Sequence, residues 1–352
     1  MSGSARRAHA RRESGSSRPG YHRRDLNPRE RVRLGRTKLM LTRLGLGTAP
    51  LAGLYHAVDE ADALRAIERS WELGLRFFDT APLYGHGLAE QRLGKALGGK
   101  PRGEFTLATK VGRLLRADAP PEPGQNFHGV PPVNPVFDFS YDGVMRSVEE
   151  SRQRLGIERL DILHIHDPDN HYEQAIDGAY RALDRLRSDG VIGAVGAGMN
   201  QAEMLTRFAR DGDFDCFLLA GRYTLLDQVA LKELLPLCLD RGVAIIAAGV
   251  FNSGILTEPK PGARYNYRLA PDALVERAQR IQAVCERHGV PLRAAAVQFP
   301  LGHPAVQAVV VGCRSAEQVE DTVRMFETPI PSSLWDALKT KRLLPDDAPT
   351  PS

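Results

Sequence analysis

Asp79, Tyr84, Lys110 and His166 stand at or just past the ends of three apolar runs, Arg76–Ala81, Phe105–Thr109 and Leu160–Ile165. An acid, a phenol, an amine and an imidazole gathered in one place can move a proton. Each run has the length and composition of a buried strand. If the three strands lie side by side and parallel, their carboxyl ends share one mouth and the four side chains meet there. A phenol ionises near ~10, too high for a base at neutral pH, but an adjacent ammonium favours its phenolate. The pattern predicts Tyr84 as acid/base and Lys110 as the charge that lowers its pKa. Asp79 then holds Lys110 charged in a partly dry cleft, and a neutral His166 donates to a substrate oxygen. Taken singly, Asp79 reads as a turn cap, Tyr84 before Gly85 as a turn aromatic and His166 as a core histidine. Lys110 is hardest to explain that way, because a lysine at the end of a buried strand needs a partner. No nucleophile elbow, Walker loop or HExxH helix occurs in the chain. The site therefore moves a proton while something else moves a hydride, which points to a nicotinamide cofactor.

From Leu44 onward short apolar runs alternate with amphipathic stretches, the mark of βα units around a parallel sheet. Eight units can be counted. Strands are expected at Leu44–Thr48, Arg76–Ala81, Phe105–Thr109, Leu160–Ile165, Ile192–Ala197, Cys216–Leu219, Val243–Ala248 and Val306–Gly312. Helices are expected at Asp59–Leu73, Leu88–Leu97, Tyr141–Leu155, Tyr172–Arg187, Gln201–Arg210, Val229–Arg241, Pro271–His288 and Ala316–Phe326. Gly74, Gly98, Gly156, Gly190, Gly212, Gly242 and Gly289 follow helix ends, where a left-handed residue commonly stops the helix. An open doubly wound sheet would satisfy the same alternation, but it would put the eighth strand too far from the second to fourth to share a ligand. A (β/α)8 barrel is the expected fold, with Thr37–Leu41 as one arm of a hairpin on its floor and Ser333–Leu344 as a terminal helix. Two long loops overhang the mouth: Arg113–Phe139, with six prolines, Asp118, Phe127 and His128, and Asn252–Ala270, with Pro259, Pro261, Arg264, Tyr265, Tyr267 and Arg268.

The chain has 352 residues and a net charge of +4, which invites a nucleic-acid reading. Residues 1–36 hold eleven arginines, no lysine and three acids, a net +8, so everything after them carries −4. That basic stretch has almost no large apolar residue and is expected to be disordered. Its Arg pairs are not followed by an apolar segment, which argues against an export signal. The expected organisation is therefore an Arg-rich extension over 1–36, one barrel over 37–345 and a short tail over 346–352, with no nucleic-acid and no membrane partner. Cys216, Cys238, Cys285 and Cys313 lack metal-type spacing, and a reduced, cytoplasmic setting suits them.

His164 and His166 are two apart on one strand and face the same side, with Asp167 and Asp169 close by. That is also the arrangement of an H-x-H metal pair in barrel hydrolases. Further ligands should then stand at later strand ends, where the sequence instead has Gly196-Ala197-Gly198, Ala220-Gly221 and Ala248-Gly249. No metal ligands are assigned. No GxGxxG follows the first strand, against a Rossmann site.

From about Leu44 to Glu327 the sequence resembles the aldo-keto reductases, whose catalytic tetrad matches Asp79, Tyr84, Lys110 and His166 in order. The stretch Phe77-Phe78-Asp79-Thr80-Ala81, with Tyr84-Gly85 following, carries the likeness. Within the family it is similar to members of the L-fucose or D-threo-aldose 1-dehydrogenase and pyridoxal 4-dehydrogenase type, through Leu44–Leu51, Gly196–Asn200 and Gly221–Leu226. The resemblance implies a cofactor, NAD or NADP, contacting Gly47, Thr48, Asp79, Gly198, Met199, Asn200, Gly249, Val250, Phe251, Ser253, Gly254, Gly312, Arg314 and Gln318. It implies that the second long loop folds over the pyrophosphate. The chain departs from the family where Gly198 and Met199 replace a serine and an asparagine, Ala220 a glutamine, and Ala248 an aromatic that stacks on the nicotinamide. Asn200 is then left to meet the carboxamide, in a roomier pocket. Gly312 and Gln318 stand near places that are basic in NADP-dependent relatives, so Arg314 alone could clamp a 2′-phosphate and NAD or dual use is expected at least as much as strict NADP. The implied reaction is hydride removal from C1 of an aldose to give a lactone. Pyridoxal 4-dehydrogenation, general aldehyde or ketone reduction, a cofactor-sensing partner subunit and a metal-dependent barrel hydrolase are the alternatives.

Overall fold

A computed structural model describes residues 26–121, 124 and 126–351. Most of the Arg-rich extension, residues 1–25, lies outside the described residues. Eight parallel strands close into a barrel: β1 (Leu44–Gly47), β2 (Phe77–Asp79), β3 (Thr106–Val111), β4 (Ile162–His166), β5 (Ala194–Met199), β6 (Cys216–Ala220), β7 (Ala244–Ala248) and β8 (Val306–Gly312). They are joined in sequence order, with β8 paired to β1 and β5 to β6. The expected barrel is the observed fold.

Register explains how separate strands present one site. Asp79 on β2 pairs with Ala108 on β3, two residues short of Lys110. Lys110 pairs with His164 on β4, two residues short of His166, and His166 pairs with Gly198 on β5. Each step climbs by two, so every side chain keeps its inward facing while the strands tilt. Below this level the interior is filled by Phe77, Ala108, Ile162, Ala194, Cys216, Leu218, Ala244, Ile246 and Ala308. Gly45 is obligatory in that layer, because a Cβ there would sit 2.5 Å from the Phe77 ring.

The helices form the outer layer, several on the predicted residues: Leu88–Leu97, Tyr141–Leu155 and Ala316–Glu327. Ser140 and Ser315 cap the last two, each hydroxyl accepting from the N–H three residues on. Two expected helices are less regular. Tyr172–Arg187 contains a π-helical stretch at Ala175–Tyr180 before continuing to Ser188, and Val229–Arg241 begins as a single turn with regular helix only from Leu234. Pro236, which cannot donate a backbone hydrogen bond, is tolerated only near a helix start. Five of the seven helix-end glycines are left-handed; Gly98 and Gly212 have negative φ, so their helices end without that device.

The predicted boundary at residue 36 is corrected. Arg31–Arg33 pairs antiparallel with Met40–Thr42, and Leu34 and Leu41, both fully buried, close the barrel floor. The composition of 1–36 hid this because arginines outnumber its few apolar anchors, Leu34 and the partly buried Leu26. At the other end Ala348 is fully buried, so the expected tail also packs on the core. Among the described residues, no helix is long and apolar enough to cross a membrane.

Candidate active site

The four predicted catalytic side chains come together at the carboxyl ends of β2, β3 and β4. Lys110 is almost fully buried, and its ammonium donates to both Asp79 oxygens at 3.0 and 2.8 Å and to the Thr80 carbonyl at 2.8 Å. Such a pair is retained in a dry site because each charge loses its hydration only by gaining the other. The Lys110 nitrogen lies 4.5 Å from the centre of the Tyr84 ring, and the His166 ring meets Tyr84 edge-on at 5.6 Å. Behind Lys110, the Thr109 hydroxyl donates to the fully buried Glu90 at 2.7 Å, and Arg154 completes that network at 2.6 Å. This brace, which no local sequence signal marks, fixes the strand end that carries the lysine.

Burial, reinforced by the Asp79 and Asp167 carboxylates and opposed by Arg113, pushes the Tyr84 phenol well above its ordinary range, a direction that favours the protonated phenol in the cofactor-free site. Burial also pushes the Asp79 carboxyl upward against the pull of Lys110. His166 is driven well below the usual imidazole value by burial and by Lys110 and Arg113, so it is the neutral donor expected. His164, beneath it, falls to about 3 for the same first reason, and neither of its ring nitrogens has a hydrogen-bond partner among the described residues. Among those residues no three His, Cys, Asp or Glu side chains group as metal ligands would.

Two cavities meet at Tyr84. The larger, about 510 Å³, runs over β1, β6, β7 and β8, and is lined by Gly47, Asp79, Asn200, Gly249, Val250, Phe251, Ser253, Gly254, Gly312, Arg314 and Gln318 of the predicted cofactor set. The smaller, about 250 Å³, is lined by Tyr84, Lys110, His166, Gly198, Met199 and Asn200. Thr48 lines neither: its hydroxyl donates to the Asp79 carbonyl at 3.0 Å, so it steadies β2. Arg314 reaches the Leu54 carbonyl at 3.4 Å, and its N–H donates to Gln318 at 2.9 Å. Asn200 donates to the Ala220 carbonyl at 2.9 Å.

The long loops do roof the site. Arg113–Arg116 and Asn134–Phe137 form a hairpin, unexpected in a proline-rich segment, and the part between them crosses to the loop after β1. There Tyr55 donates to Asn126 at 2.7 Å and His128 to Gly53 at 2.9 Å. The second loop ends in a small hairpin, Arg264–Tyr265 with Arg268–Leu269, whose tip puts Asn266 and Tyr267 against the larger cavity. Asn266 is held by Arg222 at 2.9 Å. Arg264 also lines that cavity, whereas Arg268 does not. Tyr55, Asp167, Asn252, Ser253, Asn266 and Tyr267 are left-handed non-glycine residues, and all six line one cavity or the other. Such strain persists only where surrounding structure enforces it, and it gathers at functional clefts.

Sequence reasoning missed Arg113 and Tyr55 as lining residues. Arg113 had been placed only as the start of a loop, since a buried arginine looks like a surface one until its strand partner is known.

The pattern of the aldo/keto reductase family matches residues 43–342. The chain belongs to the aldo/keto reductase family. It is an oxidoreductase. Pyridoxal 4-dehydrogenase of Microbacterium luteolum is 44% identical over 91% of this chain and 99% of its own length. D-threo-aldose 1-dehydrogenase of a Pseudomonas species is 42% identical over 87% and 96%. Among solved structures, an aldo-keto reductase of Bacillus halodurans in its holo form superposes with a TM-score of 0.70 at 26% identity, covering 90% of this chain and 96% of that one. This family placement removes the metal-dependent hydrolase alternative, and the nicotinamide cofactor class follows from it.

Proposed function

We propose that this reductase-family enzyme oxidises the hemiacetal carbon of a cyclic aldose, C1, to the lactone, with NAD or NADP as acceptor. The observation that carries the reading is that Tyr84 lines both cavities, so one phenol faces room for a dinucleotide on one side and for a monosaccharide on the other. The bare ends of β1, β6, β7 and β8 fit a flat ring lying on the backbone: Gly47, Ala220, Ala248 and Gly312 present no side chain beyond a methyl. Gly47, Asn200, Gly249–Gly254 and Arg314 would hold the cofactor, whose nicotinamide supplies the hydride acceptor.

The chain's own residues handle the proton and the alignment. Neutral His166 donates to the substrate oxygen and orients the C1 hydroxyl toward Tyr84. Tyr84, acting as the phenolate after giving its own proton to solvent, takes the hydroxyl proton as the C1 hydrogen departs with its electron pair to the nicotinamide that the cofactor would supply. Lys110, fixed by Asp79, keeps a positive charge beside the ring on which the negative charge develops. Hydrolysis of the lactone then makes the direction effectively one-way. In the reverse sense, Tyr84 as the phenol is the acid that a carbonyl reduction needs.

The identities to the two named dehydrogenases support this substrate class. A second reading, oxidation of pyridoxal as its cyclic hemiacetal, is favoured by Phe127 and Tyr84, whose rings tilt at 34° with centres 6.2 Å apart beside the smaller cavity and suit a flat pyridine. Arg314 is the basic group poised for a 2′-phosphate, with no second cation at Gly312 or Gln318, which supports NAD or dual use. Four free, buried cysteines support a reduced cytoplasmic setting. The test is the absorbance of reduced cofactor on mixing the protein and NAD or NADP with L-fucose, D-arabinose, L-galactose or pyridoxal. Reduction with a sugar and not pyridoxal sustains the aldose reading; silence across the panel with cofactor bound overturns it in favour of carbonyl reduction or a sensing role.

A further inference from the structure

Two charged residues outside the tetrad face the smaller cavity, and the proton chemistry uses neither. Arg113 follows β3 and is almost buried; its guanidinium lies over the Phe137 ring at 4.3 Å. Asp167 follows β4 in a left-handed conformation, φ 43°, and its N–H donates to the Gly198 carbonyl at 3.1 Å. An aspartate tolerates that conformation at a cost, and here the cost turns its carboxylate toward the cavity beside His166 rather than along the strand direction. One carboxylate oxygen of Asp167 lies 3.5 Å from His166 Nε2 and 3.7 Å from an Arg113 nitrogen. Both separations exceed a good hydrogen bond, and polar groups at such spacing commonly share an intervening oxygen.

The tetrad fixes where that oxygen would belong. In the proposed reaction His166 Nε2 holds the reacting oxygen. The nearest other polar atom of the substrate is the hydroxyl on the adjacent carbon, and neighbouring ring hydroxyls lie about a hydrogen-bond length apart. A carboxylate beside His166 accepts from that hydroxyl, and the guanidinium donates to it. The hydroxyl can do both at once, because it carries one donor and two acceptor sites. Both residues are mounted on rigid parts, Arg113 on the hairpin with Asn134–Phe137 and Asp167 on the end of β4.

We propose that Arg113 and Asp167 form the specificity subsite for the hydroxyl on the carbon next to the one oxidised. This rests on the hemiacetal-oxidation reading. In pyridoxal the ring hydroxyl stands one carbon further from the oxidised carbon, so the subsite predicts discrimination among aldoses.

The test compares kcat/KM for L-fucose and for its 2-deoxy analogue in wild type, Asp167→Asn and Arg113→Met, with cofactor binding by fluorescence confirming that each variant is folded. A hydrogen bond to a charged group contributes about 1.5–3 kcal/mol, so wild type should prefer the hydroxylated sugar roughly tenfold to hundredfold. In each variant that ratio should collapse toward one. Equal losses on both sugars, with the ratio preserved, would overturn the subsite while leaving the oxidation reading intact. Turnover of pyridoxal but of no sugar would overturn the aldose reading and the subsite with it. No turnover of either overturns both. A purely electrostatic influence of Asp167 on Tyr84 is separable, because it would shift the pH profile for both sugars alike without altering their ratio.

Discussion

The two halves of the barrel mouth are built to opposite rules. The ends of β2, β3 and β4 carry Asp79, Lys110 and His166, with Glu90 and Arg154 bracing them from behind. The ends of β1, β5, β6, β7 and β8 carry Gly47, Gly198, Ala220, Ala248 and Gly312. One half concentrates charge where hydration has been removed, and the other removes side chains where a flat molecule must lie. On the proposed reading, catalytic strength depends on a few expensive groups, while binding depends on vacated space and on loops folded back over it.

The first way to break this contrast is to disarm the charged half. Tyr84→Phe and Lys110→Met should each lower kcat by about 10²–10⁴-fold, while fluorescence titration shows cofactor still binding. Undiminished turnover in Tyr84→Phe would remove that residue from the acid/base role. The second is to fill the bare half. A Cβ at Gly47 would lie 3.0 Å from a Val310 methyl, and the branches of valine would project into the larger cavity. Gly47→Val should weaken cofactor binding by roughly tenfold to hundredfold, since overpacking costs about 1–3 kcal/mol. An unchanged dissociation constant would mean that the ring does not approach β1.

A third experiment sharpens the comparison at the far end of the larger cavity. Arg314→Ala should weaken NADP about tenfold and NAD less, because a charge-assisted hydrogen bond contributes about 1.5–3 kcal/mol and only NADP offers the 2′-phosphate. Equal effects on both would place Arg314 at the pyrophosphate instead. The smallest effect expected is on titration of the cofactor-free protein. His166 is held well below the usual imidazole value and His164 at about 3, so both should stay neutral from pH 5 to 8 by NMR. The Tyr84 phenol is raised, so the phenolate absorbance that Tyr84→Phe removes should appear only above the ordinary phenol range. Its appearance near neutrality would restore the direct influence of Lys110.

The charged half was readable from sequence because each of its members ends an apolar run, and runs of that kind become strands whatever surrounds them. The residues that act through long-range partners were not readable. Arg113 begins a proline-rich segment that looks like open loop, and its hairpin depends on Asn134–Phe137, more than fifteen positions away. Glu90 sits in a regular amphipathic helix, and only the register of β3 reveals Thr109 as its partner. Leu34 lies among arginines that dominate the local composition, yet it is wholly enclosed.

The Leu34–Leu41 floor has a further consequence. Beneath the tetrad the described interior packs His164, the Thr106 hydroxyl, which donates to the Met40 carbonyl at 2.9 Å, and a buried thiol among hydrocarbon side chains. On the proposed reading, a proton collected by Tyr84 would return to solvent through the mouth by which the sugar entered, and each turnover would empty the pocket before the site resets its charge.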